Sequence, residues 1–590
     1  MHQLKSILKM KTNYMNSRLI KQLCLVSILM LLFNTDNLGA QNKESRSQDT
    51  VDTQVVSIVK PYTPKISDAF KLKQTPRMGS YETSQKPVKY TIFSIPVAST
   101  FTPAKGNSVG LDKLKKEKLF QNYTSIGLGN YGTVLGNFYL NHKIGRGETL
   151  GGYVDHQSSQ GGIGGLQLED SFSNNTVWVN YAKTLKTFTW TTDLTYARQA
   201  INWYGLPYPT TFSINSKQVY SELSFSSKVH FKKGIFQRGS IDFQRFSDAY
   251  GSQEYRLEAD SSLQLNIFDQ SINTNLSIDY LNGKFNQNYL DTELNSYGNT
   301  LFFVAPSYKY SYEDLAVSVG VRAALLIDNN KGVSEFYIYP NIEASYSVVN
   351  SIVLAYAQLK GDLIQNTYSD FAQINPFISP TLEIRPSSTP YKLIVGSKGK
   401  LSESMAYDLN GSYSKQNDKA LFRSNTILNP SVLTNYNQGN SFRIVYDDVA
   451  VFIASGALEF DMSKKLMLRL KGDLYKYSSN LEPTVWNLPN FEASLFLDYQ
   501  ISDKWALVGT LFYYGARQDS TTNDSLLSEI INETLDSFFD ANFQLDYQVS
   551  SQWGAFVKVN NMTNSNYSQW NHYPVQGFQI LGGVSYKFDF

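Results

Sequence analysis

Few residues of this chain have the types and spacing that chemistry needs. Its five histidines, His2, His142, His156, His230 and His572, are scattered. On adjacent strands His142 and His156 could approach each other, but no Cys or acidic cluster lies near them to complete a metal site. No Ser/His/Asp spacing puts a nucleophile beside a base and an orienting group. Gly127-Leu128-Gly129-Asn130-Tyr131-Gly132 has the letters of a dinucleotide fingerprint. That fingerprint needs a following helix, and another strand follows here. Asp519 to Asp524 offers oxygens for calcium but lacks the Gly and terminal Glu of an EF-hand loop, so a solvated polar loop is expected. The chain is therefore expected to be no enzyme and to carry no cofactor or metal.

The elements around these residues are more informative. From residue 577 to the terminus, Phe578, Ile580, Gly582, Val584, Tyr586, Phe588 and Phe590 alternate with Gln579, Leu581, Gly583, Ser585, Lys587 and Asp589. A period of two makes a strand with one apolar and one mostly polar face. Held to a terminal Phe, the pattern fits the closing strand of an outer-membrane barrel, lipid on one side and a wet lumen on the other. Phe491 to Ile501, Trp505 to Tyr513, Phe543 to Val549 and Trp553 to Val559 repeat it, with Asp498, Asp546 and Lys558 on the polar side.

Turns of two kinds separate the strands. Short polar ones fall at 145–148, 312–314, 350–351, 463–465, 502–504 and 550–552. Longer ones fall at 158–173, 200–214, 282–296, 363–390, 417–439, 477–489, 518–531 and 563–576. Short turns on one rim and long loops on the other mark this barrel class, the short ones periplasmic. With roughly nine to eleven residues per spanning strand, the chain from 121 to 590 predicts an all-β antiparallel transmembrane barrel of about 22 strands. Two places leave the count open: the hairpin near Tyr131, and 441–462, which is one strand or two.

Composition agrees. Aromatics are 14% of residues, with 40 Tyr and 35 Phe, a load suited to lipid-facing walls and rims. A formal charge of +2 argues against a nucleic-acid partner. Residues 1–40 read as a secretory signal, basic at Arg18 and Lys21, apolar from Leu23 to Phe33, and cut near Ala40–Gln41. Cys24, the only cysteine, falls inside it, so no disulfide is expected. Residues 41–120, with six prolines and a basic cluster at 113–118, read as a largely extended periplasmic segment. A Gram-negative outer membrane is the expected location, because in lipid only helices and closed barrels satisfy their backbones.

Val559-Asn560-Asn561-Met562-Thr563-Asn564, then Tyr567, Tyr573-Pro574 and Gly577-Phe578 resemble the last hairpin of TonB-dependent receptors, in the composition typical of Bacteroidota. The resemblance implies solute transport across the outer membrane, and handling of the closing strand by the barrel-assembly machinery. It also marks a departure. Those receptors carry a globular plug before the barrel, whereas about eighty residues precede this one and their proline content does not suit such a domain. Thr53, Val55 and Val56 faintly resemble the box that binds TonB. An unplugged lumen of this size would breach the permeability barrier. The extension 41–120 or a periplasmic or outer-membrane partner is expected to fill it ahead of infolded loops such as 363–390. The competing expectation is a non-transporting barrel subunit or scaffold of a protein complex.

Overall fold

The computed structural model describes residues 120–590, apart from 209–212, 268–269, 290–293, 350–351, 428–434, 464 and 524–525. The signal, the extension, the basic cluster at 113–118 and Thr53, Val55 and Val56 lie outside the described residues.

Strands alternate with turns throughout. The first nine are β1 (Asn122–Gly129), β2 (Val134–Gly145), β3 (Glu148–Ser159), β4 (Phe172–Thr184), β5 (Phe188–Asn202), β6 (Lys217–Phe231), β7 (Phe236–Ser247), β8 (Gln253–Ile267) and β9 (Gln270–Lys284). The next eight are β10 (Ser296–Tyr312), β11 (Leu315–Asp328), β12 (Val333–Val349), β13 (Val353–Ile364), β14 (Ser387–Ser402), β15 (Met405–Ser424), β16 (Phe442–Ser463) and β17 (Leu466–Ser478). Then come β18 (Phe491–Gln500), β19 (Trp505–Tyr514), β20 (Arg517–Asn523), β21 (Leu526–Leu535), β22 (Phe538–Gln548), β23 (Trp553–Asn560), β24 (Ser568–Trp570), β25 (Tyr573–Pro574) and β26 (Gln579–Phe588). One α-helix, α1 (Tyr368–Ile374), occurs among the described residues. None is long and apolar enough to cross a membrane, which says nothing of a barrel.

Twenty-two strands form one closed antiparallel sheet, while β20–β21 and β24–β25 are small hairpins outside it. Closure joins β1 to β26 from Asn122↔Phe588 to Gly129↔Leu581. The alternation at the terminus has its expected consequence. Ile580 and Val584 are 45% and 52% exposed on the outer wall, whereas Leu581 is buried inside against Leu135 and Phe556. Tyr586 stacks on Phe588, which meets Phe590 edge to face, and Trp553 and Phe138 join them, an aromatic girdle at the short-turn rim. Glycine is required at the seam. A Cβ on Gly583 would collide with the Phe556 ring and the Ile126 carbonyl oxygen.

Short turns collect on one rim: Arg146–Gly147, Glu313–Asp314 and Glu403–Ser404 each join neighbouring strands. Gly147, at φ +74°, makes the first of them possible. Long connections collect on the other rim. The stretch 441–462 is one strand, β16, and the join near Tyr131 is a 3₁₀ turn rather than a nucleotide-binding helix.

Candidate functional site: a roofed lumen

The loop 365–386 does not project outward from the long-loop rim. It carries Tyr368, Phe371, Phe377, Ile378, Leu382 and Ile384, all buried, where a solvated loop would expose them. They join Phe246, Leu281, Phe285, Tyr297, Ile444 and Tyr446 of the wall in one apolar cluster of twenty buried residues. Other loops complete the cluster with Trp203, Tyr436, Trp570 and Tyr573. Phe377 stacks on Tyr573 at 3.6 Å, and Trp203 on Tyr250 at 5.3 Å. The loops thus form a roof across the mouth.

Two kinds of attachment hold the roof. Toward β6–β8 the grip is acidic. Thr367 caps α1 by accepting from the Asp370 N–H at 2.9 Å. The next two N–H groups, of Tyr368 and Ser369, donate to Glu254 at 2.6 and 3.1 Å, and the Tyr297 hydroxyl donates to the same carboxylate at 2.6 Å. Glu222 accepts from the Ser369 hydroxyl at 2.9 Å, and Asp248 from the Tyr368 hydroxyl at 2.7 Å. Burial, with Asp248 beside it, holds the Tyr368 phenol well above its ordinary range, so it stays a donor. Toward β16 the grip is backbone. Ser379 N–H donates to the Phe442 carbonyl, Phe442 N–H donates to that of Phe377, and Ile378 bridges Phe442.

Buried carboxylates anchor the neighbouring loops too. Asp447 accepts the N–H groups of Asn480, Leu481 and Glu482 at 2.9–3.1 Å. Glu482 in turn accepts from Arg423 and the Trp486 indole at 2.8 and 2.7 Å. Asp519 is fully buried and accepts the N–H and hydroxyl of Ser424 at 3.0 and 2.8 Å. Burial raises its pKa above the usual carboxylate value. The solvated polar loop expected at Asp519 is thus corrected: the carboxylate is an internal fastener on the β20–β21 hairpin.

Beneath the roof lies a cavity of about 1140 Å³, with Phe371, Ile374, Trp486 and Trp570 at its top. Its flanks are polar and charged, and they descend toward the short-turn rim through Thr191, Lys228 and Arg238. The third-ranked filler of the lumen, the loop, is the one the described residues place at the mouth.

His142 and His156 do lie on paired strands, but His142 faces Leu150 and His156 faces Gly136. Six residues of strand separate the two levels, roughly 20 Å, and His156 is engaged by Asn175 and Ser158. No group of three metal-ligating side chains occurs among the described residues. Sequence reasoning missed Glu222, Glu254 and Asp447. The one available signal was the string of apolar residues within a proline-containing loop, which no solvated loop requires.

No family model and no curated protein matches this chain. Solved structures do. The pyoverdine outer membrane receptor FpvA from Pseudomonas aeruginosa PAO1 superposes with a TM-score of 0.59 at 11% identity, over 80% of this chain and 78% of that one. The FrpB iron transporter from Neisseria meningitidis gives 0.61 at 10% identity, over 80% and 82%. A ferric enterobactin receptor (PfeA) mutant from Pseudomonas aeruginosa gives 0.58 at 12%, over 79% and 80%. The chain is similar to these TonB-dependent-receptor barrels in fold.

Proposed function

We propose that this protein is an outer-membrane transport barrel whose outward mouth is shut by its own loops. The short-turn rim faces the periplasm, the long-loop rim faces outward, and a solute passes only when the roof moves. The roof over a wide polar cavity is the observation that carries this reading, since a lumen of such lining has no packing role. The fold shared with FpvA and FrpB supports a role in uptake, and the barrel-assembly machinery is the expected recipient of β26. Extension 41–120 as a periplasmic segment belongs to the same proposal, in which Thr53, Val55 and Val56 form a plain extended stretch that only faintly resembles the box that binds TonB.

One observation favours a second reading, a closed barrel that serves as a subunit of an outer-membrane assembly. Burying a large apolar side chain is worth about 1.5–3 kcal/mol, so lifting the loop's six large ones costs on the order of 10 kcal/mol. Unaided opening is then rare.

Planar-bilayer conductance separates the readings. The full chain is expected to be silent. A chain with 366–385 replaced by a short Gly-Ser linker is expected to conduct steadily. Silence in both, with a stoichiometric companion surviving detergent purification, would overturn transport and leave the subunit. Steady conductance of the unaltered chain would overturn the roof as a seal.

A further inference from the structure

We propose that the lumen is electrically polarised between two walls, and that the solute it handles is dipolar, bearing both a cationic and an anionic group. The inference rests on the transport reading and adds the chemistry of its solute.

One wall is acidic. Asp193 of β5 opposes Ser226 of β6, Ser226 opposes Asp242 of β7, Asp242 opposes Glu258 of β8, and Glu258 opposes Asp279 of β9. Their neighbours Ile241, Leu257 and Ile278 are exposed on the outer wall, so alternation turns the carboxylates of β7–β9 inward. Four carboxylates in one hydrogen-bonded row have a single guanidinium among them. Arg256 stands 2.6 Å from Asp279 and 2.9 Å from Glu258, while Asp193 accepts from the Asn180 amide at 2.6 Å. Lys228 and Arg238 lie nearer the short-turn rim.

The other wall is basic. On β10–β15 the lumen is lined by Lys309, Arg322, Lys360, Lys392, Lys398 and Lys419, against Glu343, Asp362 and Asp408. Lys360 and Lys392 oppose each other directly. Ion pairs Lys360–Glu343 and Arg322–Asp362, both at 2.7 Å, remove charges two at a time and leave the excess of cations unchanged.

Like charges directly opposite in a sheet destabilise it, so the carboxylates in excess on one wall and the cations in excess on the other do not hold the barrel together. Low-dielectric walls focus the resulting field into the lumen. An anion or a cation meets one repelling wall, an uncharged sugar feels neither, and a dipolar solute aligns with both.

The polarity can be tested with the roof in place. Cys24 is the only cysteine. In the full chain with Cys24→Ser, Ser277→Cys sits opposite Asp260 and two residues from Asp279 on the acidic wall, with Lys228 three strands away on the same level, and Ile394→Cys two residues from Lys392 on the basic one. Each is reacted with positively and negatively charged methanethiosulfonates of equal size, and the ratio of the two rates cancels the thiol's own reactivity. The cation-to-anion ratio is expected to be about tenfold or more higher at 277 than at 394, and to converge at about 1 M salt. Equal ratios would overturn the polarised lumen.

In the roof-replaced chain, Asp242→Asn with Glu258→Gln, and separately Lys392→Gln with Lys398→Gln, should each slow glycine betaine relative to an uncharged solute of its size. Flux unchanged by both pairs would overturn the dipolar solute. Split thiol ratios in a chain that never conducts would instead sink the transport reading.

Discussion

Glu254 shows what a single side chain does in this protein. As a carboxylate it accepts two adjacent N–H groups of α1 and the Tyr297 hydroxyl at once. Glu254→Gln leaves one carbonyl oxygen and turns an NH₂ toward donors it cannot serve. An unsatisfied buried donor costs about 1–3 kcal/mol, so brief conductance bursts are expected in a chain otherwise silent, recorded in planar bilayers. Asp519 is expected to behave oppositely. Burial raises its folded pKa, so the fold gains as the proton returns and loses as pH rises from the unfolded value of about 3.9 through the folded one. Asp519→Asn should therefore match or exceed the parent in the temperature at which the folded band is lost on gels at pH 7, with the gap closing near pH 4. A lower value for Asn at pH 7 would contradict this account.

At the scale of elements, the sequence was most legible where one periodicity governed. The terminal strand, the strand that begins at Asn122 and the short turns among the described residues followed from alternation, because lipid on one side and water on the other impose it. Legibility failed where the alternation breaks. Residue 417 looked like the start of a loop because a register shift between Gln416 and Lys419 interrupts the pattern, yet β15 runs on to Ser424. The roof was visible only as an unusual loop, since its buried residues pack against six strands and follow no period of their own. Glu254 was invisible as a fastener: on its strand it is one more inward carboxylate. The seam gives this scale its prediction. Gly583→Val drives a branched side chain into Phe556 and the Ile126 carbonyl, and the heat-modifiable folded species should be lost in refolding assays, while Ser585→Val on the same face retains it.

For the whole molecule, two features work in different directions. Twenty-two strands make a lumen wide enough to be a hazard, and on the proposed reading the roof is what removes it. On that reading transport depends on a cost of opening rather than on pore width. The proposed polarised walls lie below the roof, so selection among solutes would follow admission and not cause it.

The seam has a consequence for how the molecule comes into being. Most strand pairs join near neighbours in sequence, but Asn122 bonds to Phe588 across 466 positions. Contacts so distant bear the largest loop-closure cost and form late. Until they do, β1 and β26 are two bare strand edges, templates for any other chain. The final hydrogen bonds of this barrel therefore separate a membrane protein from an aggregate, and an assembly pathway that guards those two edges guards the whole fold.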